Sequence, residues 1–232
     1  MTKRYYVFVL ILLGLSLAAI AQVGDTIRLR DTNAFKSSYV PQPLILKTNP
    51  MAILWGPIPF TAEYRMVAEI TTGRKRSAQI GISYLGKSPI WSMAENYAHT
   101  PTDYQLKVNG YRIQVSQKFY LISRRRYAPF GFYISPNVSY SNAHIAIGLQ
   151  RHYSQTYFDF QHFSANLLMG VQMGRRTRIT MDVFWGLGYK KNTVNYHANN
   201  YRISNYNTKD FGPVYNSPVN AVFGINWGLK RY

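Results

Sequence analysis

Five charged residues sit where side chains could do chemistry: Glu63, Arg65, Arg112, Lys118 and Asp182. Each lies in a run of alternating apolar and polar residues, and each falls in the polar phase. A carboxylate placed among apolar strands needs a cation beside it, because an unpaired buried charge is expensive. Such a set could form a salt-bridge and hydrogen-bond plug, or it could line a gated polar path. The histidines offer less. His99, His144, His152, His162 and His197 are scattered over expected loops and strand ends, and none has metal-ligand spacing to a convincing second ligand. No motif joins Ser, His and Asp into a nucleophilic constellation. The expectation is a protein that is not an enzyme and has no catalytic residue, cofactor or metal. The chain contains no cysteine, which excludes a disulfide framework, a thiol nucleophile and a lipid-modified N-terminal cysteine.

The remaining chemistry is positive charge. Lys and Arg number 27 against 9 Asp and Glu, a net charge of +18. Much of it is clustered: Arg74, Lys75 and Arg76; Arg124, Arg125 and Arg126; Arg175 and Arg176 with Arg178; Lys190 and Lys191. A soluble protein this basic would suggest nucleic acid as a partner. The first 21 residues argue otherwise. Lys3 and Arg4 precede an uncharged apolar stretch over 7–17, and Ala19 and Ala21 stand where a signal peptidase reads small residues. Residues 1–21 are therefore expected to be a signal peptide, with a mature start at Gln22. Cations at the ends of apolar strands suit lipid phosphates, so membrane headgroups rather than nucleic acid are the expected partner.

The elements that must position these residues are strands. Residues 22–43 are polar and mixed and read as a periplasmic lead-in with a short strand near Thr26. From 44 onward, period-two alternation predicts strands over 44–55, 60–70, 77–85, 106–122, from the arginine triplet through Tyr140, and over 156–173, 178–189 and 218–232. Pro50 and Pro136 suggest bulges, and a phase slip is expected near His162. Connections alternate in character. Short basic turns follow strands two, four and six, and polar loops over 86–105, 148–155 and 190–217 follow strands three, five and seven. Tyr232 falls out of phase with the last strand, which implies a terminal bulge or a shifted assembly signal.

This is the pattern of an all-β, eight-stranded antiparallel up-and-down transmembrane β-barrel, with short periplasmic turns, longer extracellular loops and a barrel over 44–232. A soluble barrel would share the alternation but line its interior with the apolar set. Here the polar set is mostly Gly, Ser, Asn and Gln, which suits a narrow lumen. The apolar set carries aromatics near strand ends (Tyr84, Tyr111, Phe130, Tyr140, Phe158, Tyr189 and Trp227), which suits interfacial girdles. No later segment has the unbroken apolar run of a spanning helix.

Three stretches resemble an uncharacterised family of Bacteroidota outer-membrane β-barrels: Leu46-Lys47-Thr48-Asn49-Pro50, Glu63-Tyr64-Arg65, and residues 128–136. The resemblance spans most of the mature chain and implies the architecture of the small OmpA/OmpX class. It implies no activity and no functional residue. The expected role is structural or surface-interacting, with a side-chain-filled lumen in the outer membrane. Alternatives are a narrow channel for small solutes or an accessory barrel of a secretion or envelope assembly machine. Expected partners are lipid, the barrel-assembly machinery and envelope proteins.

Overall fold

A computed structural model describes residues 44–73, 75–97, 104–121, 128–149, 152–174, 178–198, 201–203 and 213–231. The expected signal peptide and lead-in, His99, Arg74, Arg124, Arg125, Arg126, Arg175, Arg176 and Tyr232 lie outside the described residues.

The strands are β1 (Leu44–Thr48), β2 (Thr61–Gly73), β3 (Arg76–Lys87), β4 (Tyr104–Tyr120), β5 (Gly131–Leu149), β6 (His152–Met173), β7 (Ile179–Ala198), β8 (Tyr201–Ile203) and β9 (Val219–Arg231). Short helices α1 (Met51–Leu54), α2 (Pro89–Tyr97) and α3 (Pro213–Asn216) interrupt the connections. Each of β1 to β7 pairs antiparallel with the next, β7 pairs with β9, and β9 returns to β1. Eight strands thus close an up-and-down ring, while β8 forms a small hairpin on β7. Closure leaves each ring strand paired on both sides along at least part of its length, the usual solution to the edge-strand problem. The β2–β3, β4–β5 and β6–β7 connections share one end with the start of β1 and the end of β9; we call this the turn end. The opposite end carries α1, α2, the adjoining ends of β5 and β6, β8 and α3.

Several elements differ from the sequence expectation. The first strand stops at Thr48 rather than running to 55. Pro50 makes no bulge: its αR backbone leads into α1, and Asn49 Oδ1 accepts from the amides of Met51 (3.1 Å) and Ala52 (3.3 Å) as a cap. The expected 86–105 loop contains α2. The expected 148–155 loop is nearly absent, because β5 ends at Leu149 and β6 begins at His152. Most of the early part of the expected 190–217 loop is strand, since β7 continues to Ala198. Pro136 also makes no bulge. The β4–β5 register runs unshifted from Ser116↔Asn137 to Phe119↔Ile134. β9 keeps its phase through Arg231, without a terminal bulge.

Polarity explains the misread strands. Over the half of the barrel nearer the turns, the outward residues are Met66, Ile80, Ile82, Ile113, Val115, Leu167, Trp185, Leu187, Phe223 and Leu229, all exposed. Their inward neighbours are buried Ser, Asn, Gln and charged residues. A row of tyrosines bounds this belt. Tyr64 pairs with Tyr84, Tyr84 pairs with Tyr111, and the ring of Tyr140 lies 6.5 Å from that of Tyr111. Beyond the row the pattern inverts. The outward residues become Lys107, Asn109, His144, Asp159, Gln161, Lys191, Thr193, Asn195 and His197. The inward ones become Val108, Ala143, Ile145, Phe160 and Val194, which pack with Ile58, Leu85 and Tyr215 into an apolar core. No phase slip occurs at His162: the β5–β6 register is continuous through Ser141↔His162, and what changes there is which face is apolar. Phe158 accordingly packs against the inner core and is not a girdle residue. Phe130 is likewise buried, because the turn at Gly131 (φ +114°) breaks the alternation just before β5 begins.

Candidate functional site

Among the described residues, the lumen gathers the buried ion pairs. Because inward positions recur every second residue, each strand delivers a ladder of side chains to the interior. All five charged residues singled out from the sequence project inward, but they divide into two separate clusters.

The cluster nearer the turn end holds Lys118 and Asp182, together with two residues the sequence reading did not single out, Lys47 and Glu69. Lys118 Nζ donates to Asp182 Oδ2 at 2.6 Å, and Lys47 Nζ donates to the same oxygen at 2.9 Å. Lys47 also pairs with Glu69, and Lys118 lies 4.0 Å from it. Gln172 Oε1 accepts from both ammonium groups at 2.8 Å. The Tyr133 hydroxyl donates to Asp182 Oδ1 at 2.6 Å, and the Tyr120 hydroxyl donates to Glu69 Oε1 at 3.0 Å. Ser77 and Gln79 donate to the Glu69 carboxylate as well. The Lys118 ammonium also stands 4.0 Å from the centre of the Tyr133 ring. Two ammonium groups and two carboxylates balance, and seven strands of the ring, β1 to β7, contribute to the set.

The second cluster lies nearer the opposite end. Arg65 forms a fork with Glu63, with both bonds at 2.7 Å. Arg112 Nη1 reaches Glu63 Oε2 at 3.0 Å, and Ser83 donates to Glu63 Oε1 at 2.7 Å. Arg112 Nη2 continues to Ser139 at 3.0 Å, Ser139 meets Ser164 at 2.8 Å, and Asn166 and Asn220 extend the chain to β9. Planar guanidinium groups suit such forked carboxylate contacts. The lumen is therefore crossed twice by polar networks.

Both ends are filled too. At the turn end, Ala128 and Phe130 are buried, and the Lys230 ammonium stands 4.7 Å from the centre of the Phe130 ring. At the other end the apolar core closes the lumen, with Phe60 packed edge-on against Trp91 at 4.6 Å. Phe60 holds a φ of +66°, a strained conformation for a bulky residue.

Of the basic turn residues, Lys75 and Arg76 are described; both are exposed, and the Arg76 guanidinium lies 5.5 Å from the centre of the outward Phe119 ring. The four described histidines prove to be strand residues. His162 is buried in the lumen with Nδ1 2.6 Å from Asn192 Oδ1. His144 and His197 lie on the outer wall beyond the tyrosine row and share Asp159, at 2.8 and 3.3 Å, with the Tyr157 ring between them. Among the described residues, no group of three has the arrangement to hold a metal ion.

The stretch 46–50 has identifiable structural work. Lys47 enters the ionic cluster, Thr48 Oγ1 donates to Arg65 O at 2.8 Å, and Asn49 caps α1. A Cβ on Gly224 of β9 would stand 2.8 Å from Asn49 Nδ2, so glycine there lets the cap sit against the wall.

No protein-family model matches the sequence, and no curated protein matches it either. Among solved structures, the chain is similar to the crystal structure of a major outer membrane protein from Thermus thermophilus. The two are 6% identical, with a TM-score of 0.49, over 82% of this chain and 98% of that one. They share too little for the likeness to speak of function.

Proposed function

We propose that the protein is a small integral outer-membrane β-barrel with a closed lumen, serving a structural or surface-interacting role in the envelope. The observation that carries this reading is the inversion of polarity at the tyrosine row. A soluble barrel keeps its apolar residues inside along its whole length. Here they face outward over one stretch and inward over the next. Lipid around the first stretch and water around the second would select that sequence. Along β4 and the residue that follows it, the outward band runs from Tyr111 to Leu121. At about 3.4 Å per residue and a tilt of about 40°, that is roughly 26 Å of height, against about 25 Å for the apolar band of known outer-membrane barrels. Among the described residues no helix is long and apolar enough to cross a membrane.

In this reading the turn end faces the periplasm, and Lys75 and Arg76 meet lipid phosphates. The long β4–β7 wall projects outside the cell and offers the surface for any envelope partner. Export by residues 1–21, delivery by the barrel-assembly machinery and kinship with the Bacteroidota barrels belong to the same proposal. The filled lumen favours a scaffold over a solute channel. Purified protein in planar bilayers is expected to give no single-channel steps, as wild type or as Arg112→Ala. Steady unitary currents from the wild type would overturn the closed-lumen reading.

A further inference from the structure

The barrel wall is not made of strands all the way round. β1 pairs with only Val67, Ala68 and Glu69 of β2, and with residues 227–231 of β9. β2 continues to Thr61 and β9 to Val219, so above Thr48 the two strands face a gap that no strand fills. α1 sits there, packed against both β2 and β9. Its buried residue is Ala52. Its other side presents Met51, Leu54 and the following Trp55, which is 79% exposed. α2 adjoins α1, where the Ser88 hydroxyl donates to Leu54 O at 3.0 Å, and adds exposed Ile90 and Met93.

Five large apolar side chains so close together would form an unusual patch in water. Their surroundings indicate what covers them. The gap opens at the level of Arg65 and Trp227, inside the outward apolar belt, because Thr48 bonds to Arg65 O and pairs with Trp227. On β2 and β9, the two strands that α1 packs against, Tyr64, Phe223 and Val219 are exposed as well. Backbone edges at membrane depth cannot be left to lipid, so something must shield them. A capped helical turn does so with its own backbone bonded and its apolar side chains turned outward. On the opposite wall, beyond the tyrosine row, the outward residues are polar.

Resting on the membrane reading above, we infer that α1 is part of the lipid-facing wall, and that Met51 and Leu54 contact acyl chains of the outer leaflet while Trp55, beside Gly56 whose amide bonds Thr61 O, stands at the boundary of acyl chains and headgroups. The helix closes a lateral seam between β2 and β9. Tryptophan at its end suits the interfacial zone.

The test uses the full mature chain with Trp55 as its sole tryptophan (Trp91, Trp185 and Trp227 changed to Phe), folded into phosphatidylcholine vesicles carrying brominated acyl chains. A companion protein retains only Trp185, which lies in the belt. Trp55 is expected to emit at blue-shifted wavelength, to lose most of its intensity to shallow-brominated lipid and to resist iodide. Trp55 quenched by iodide and not by bromolipid would overturn the inference, as would protection from both, which would mark a protein cover. If Trp185 is quenched by bromolipid and Trp55 is not, the seam inference fails alone. If neither is quenched, the membrane reading fails with it. Should the multiple substitution prevent folding, Trp55→Cys bearing a fluorophore serves in a chain that has no other cysteine.

Discussion

Asp182→Ala is expected to cost the folded barrel about 3–5 kcal/mol, the range for removing one partner of a buried ion pair. Asp182 holds two ammonium groups at 2.6 and 2.9 Å and a tyrosine hydroxyl at 2.6 Å, and its side chain is almost wholly out of solvent. Without it, Lys47 and Lys118 share the single carboxylate of Glu69 in a filled interior. Most of the cost is the desolvated charge left behind rather than the value of the bonds themselves. A second change, Lys118→Met, removes that surplus charge and leaves Lys47 paired with Glu69. The double variant should therefore be more stable than the single one. Urea titration in vesicles, followed by the gel-mobility difference between folded and unfolded barrel, reads both. Equal midpoints for single and double variants would show that the two residues are not coupled.

The second large effect lies on the outer face of β7. Val183→Arg places a charge in the middle of the outward belt, between Val171 and Ile225 on the neighbouring strands. In a bilayer it should cost about 2–4 kcal/mol, the depth-dependent range for arginine near the midplane of a membrane barrel. Thr193→Arg lies on the same face of the same strand, beyond the tyrosine row, and should cost no more than about 1 kcal/mol. Both positions are outward, so the difference measures the surroundings and not the packing. Equal costs in the vesicle titration would remove the reason for placing lipid around the belt.

The belt half of the fold was legible because there alternation, Gly-rich inner positions and basic turns all agree. β3 is the clearest case, with Ala78, Ile80, Ile82 and Tyr84 outward and Ser77, Gln79 and Ser83 inward. The outer half was not, for one physical reason. In 190–198 an outward polar face and an inner face containing Val194 reverse the membrane pattern, so a strand looks like an Asn-rich loop. The same reversal makes Phe158 and Phe160 look out of phase around His162. Glu69 was recoverable from parity, since it shares the inward phase of Glu63 and Arg65 on β2. Lys47 was harder to place, because β1 contributes only five residues before Pro50 and α1 end its alternation. The helix in the wall had one sequence signal, an Asn-Pro pair of the kind that begins a turn or a helix. What no local pattern contains is the cross-lumen pairing: Lys47 and Asp182 are 135 residues apart and meet only because the ring closes.

The central claim is that one continuous strand passes from lipid into water at the tyrosine row while its inner face stays sealed. Single cysteines introduced along β7, from 179 to 197, can carry nitroxide labels in a chain with no native cysteine. Accessibility to oxygen and to a water-soluble nickel chelate is then measured in lipid vesicles. Odd positions from Ile179 to Tyr189 should be open to oxygen and closed to the chelate. Odd positions from Lys191 to His197 should show the reverse, and the buried even positions Thr180, Asp182, Phe184, Gly186 and Val194 should be closed to both. Chelate access at Met181, Val183, Trp185 and Leu187 equal to that at Thr193 and Asn195 would contradict the account.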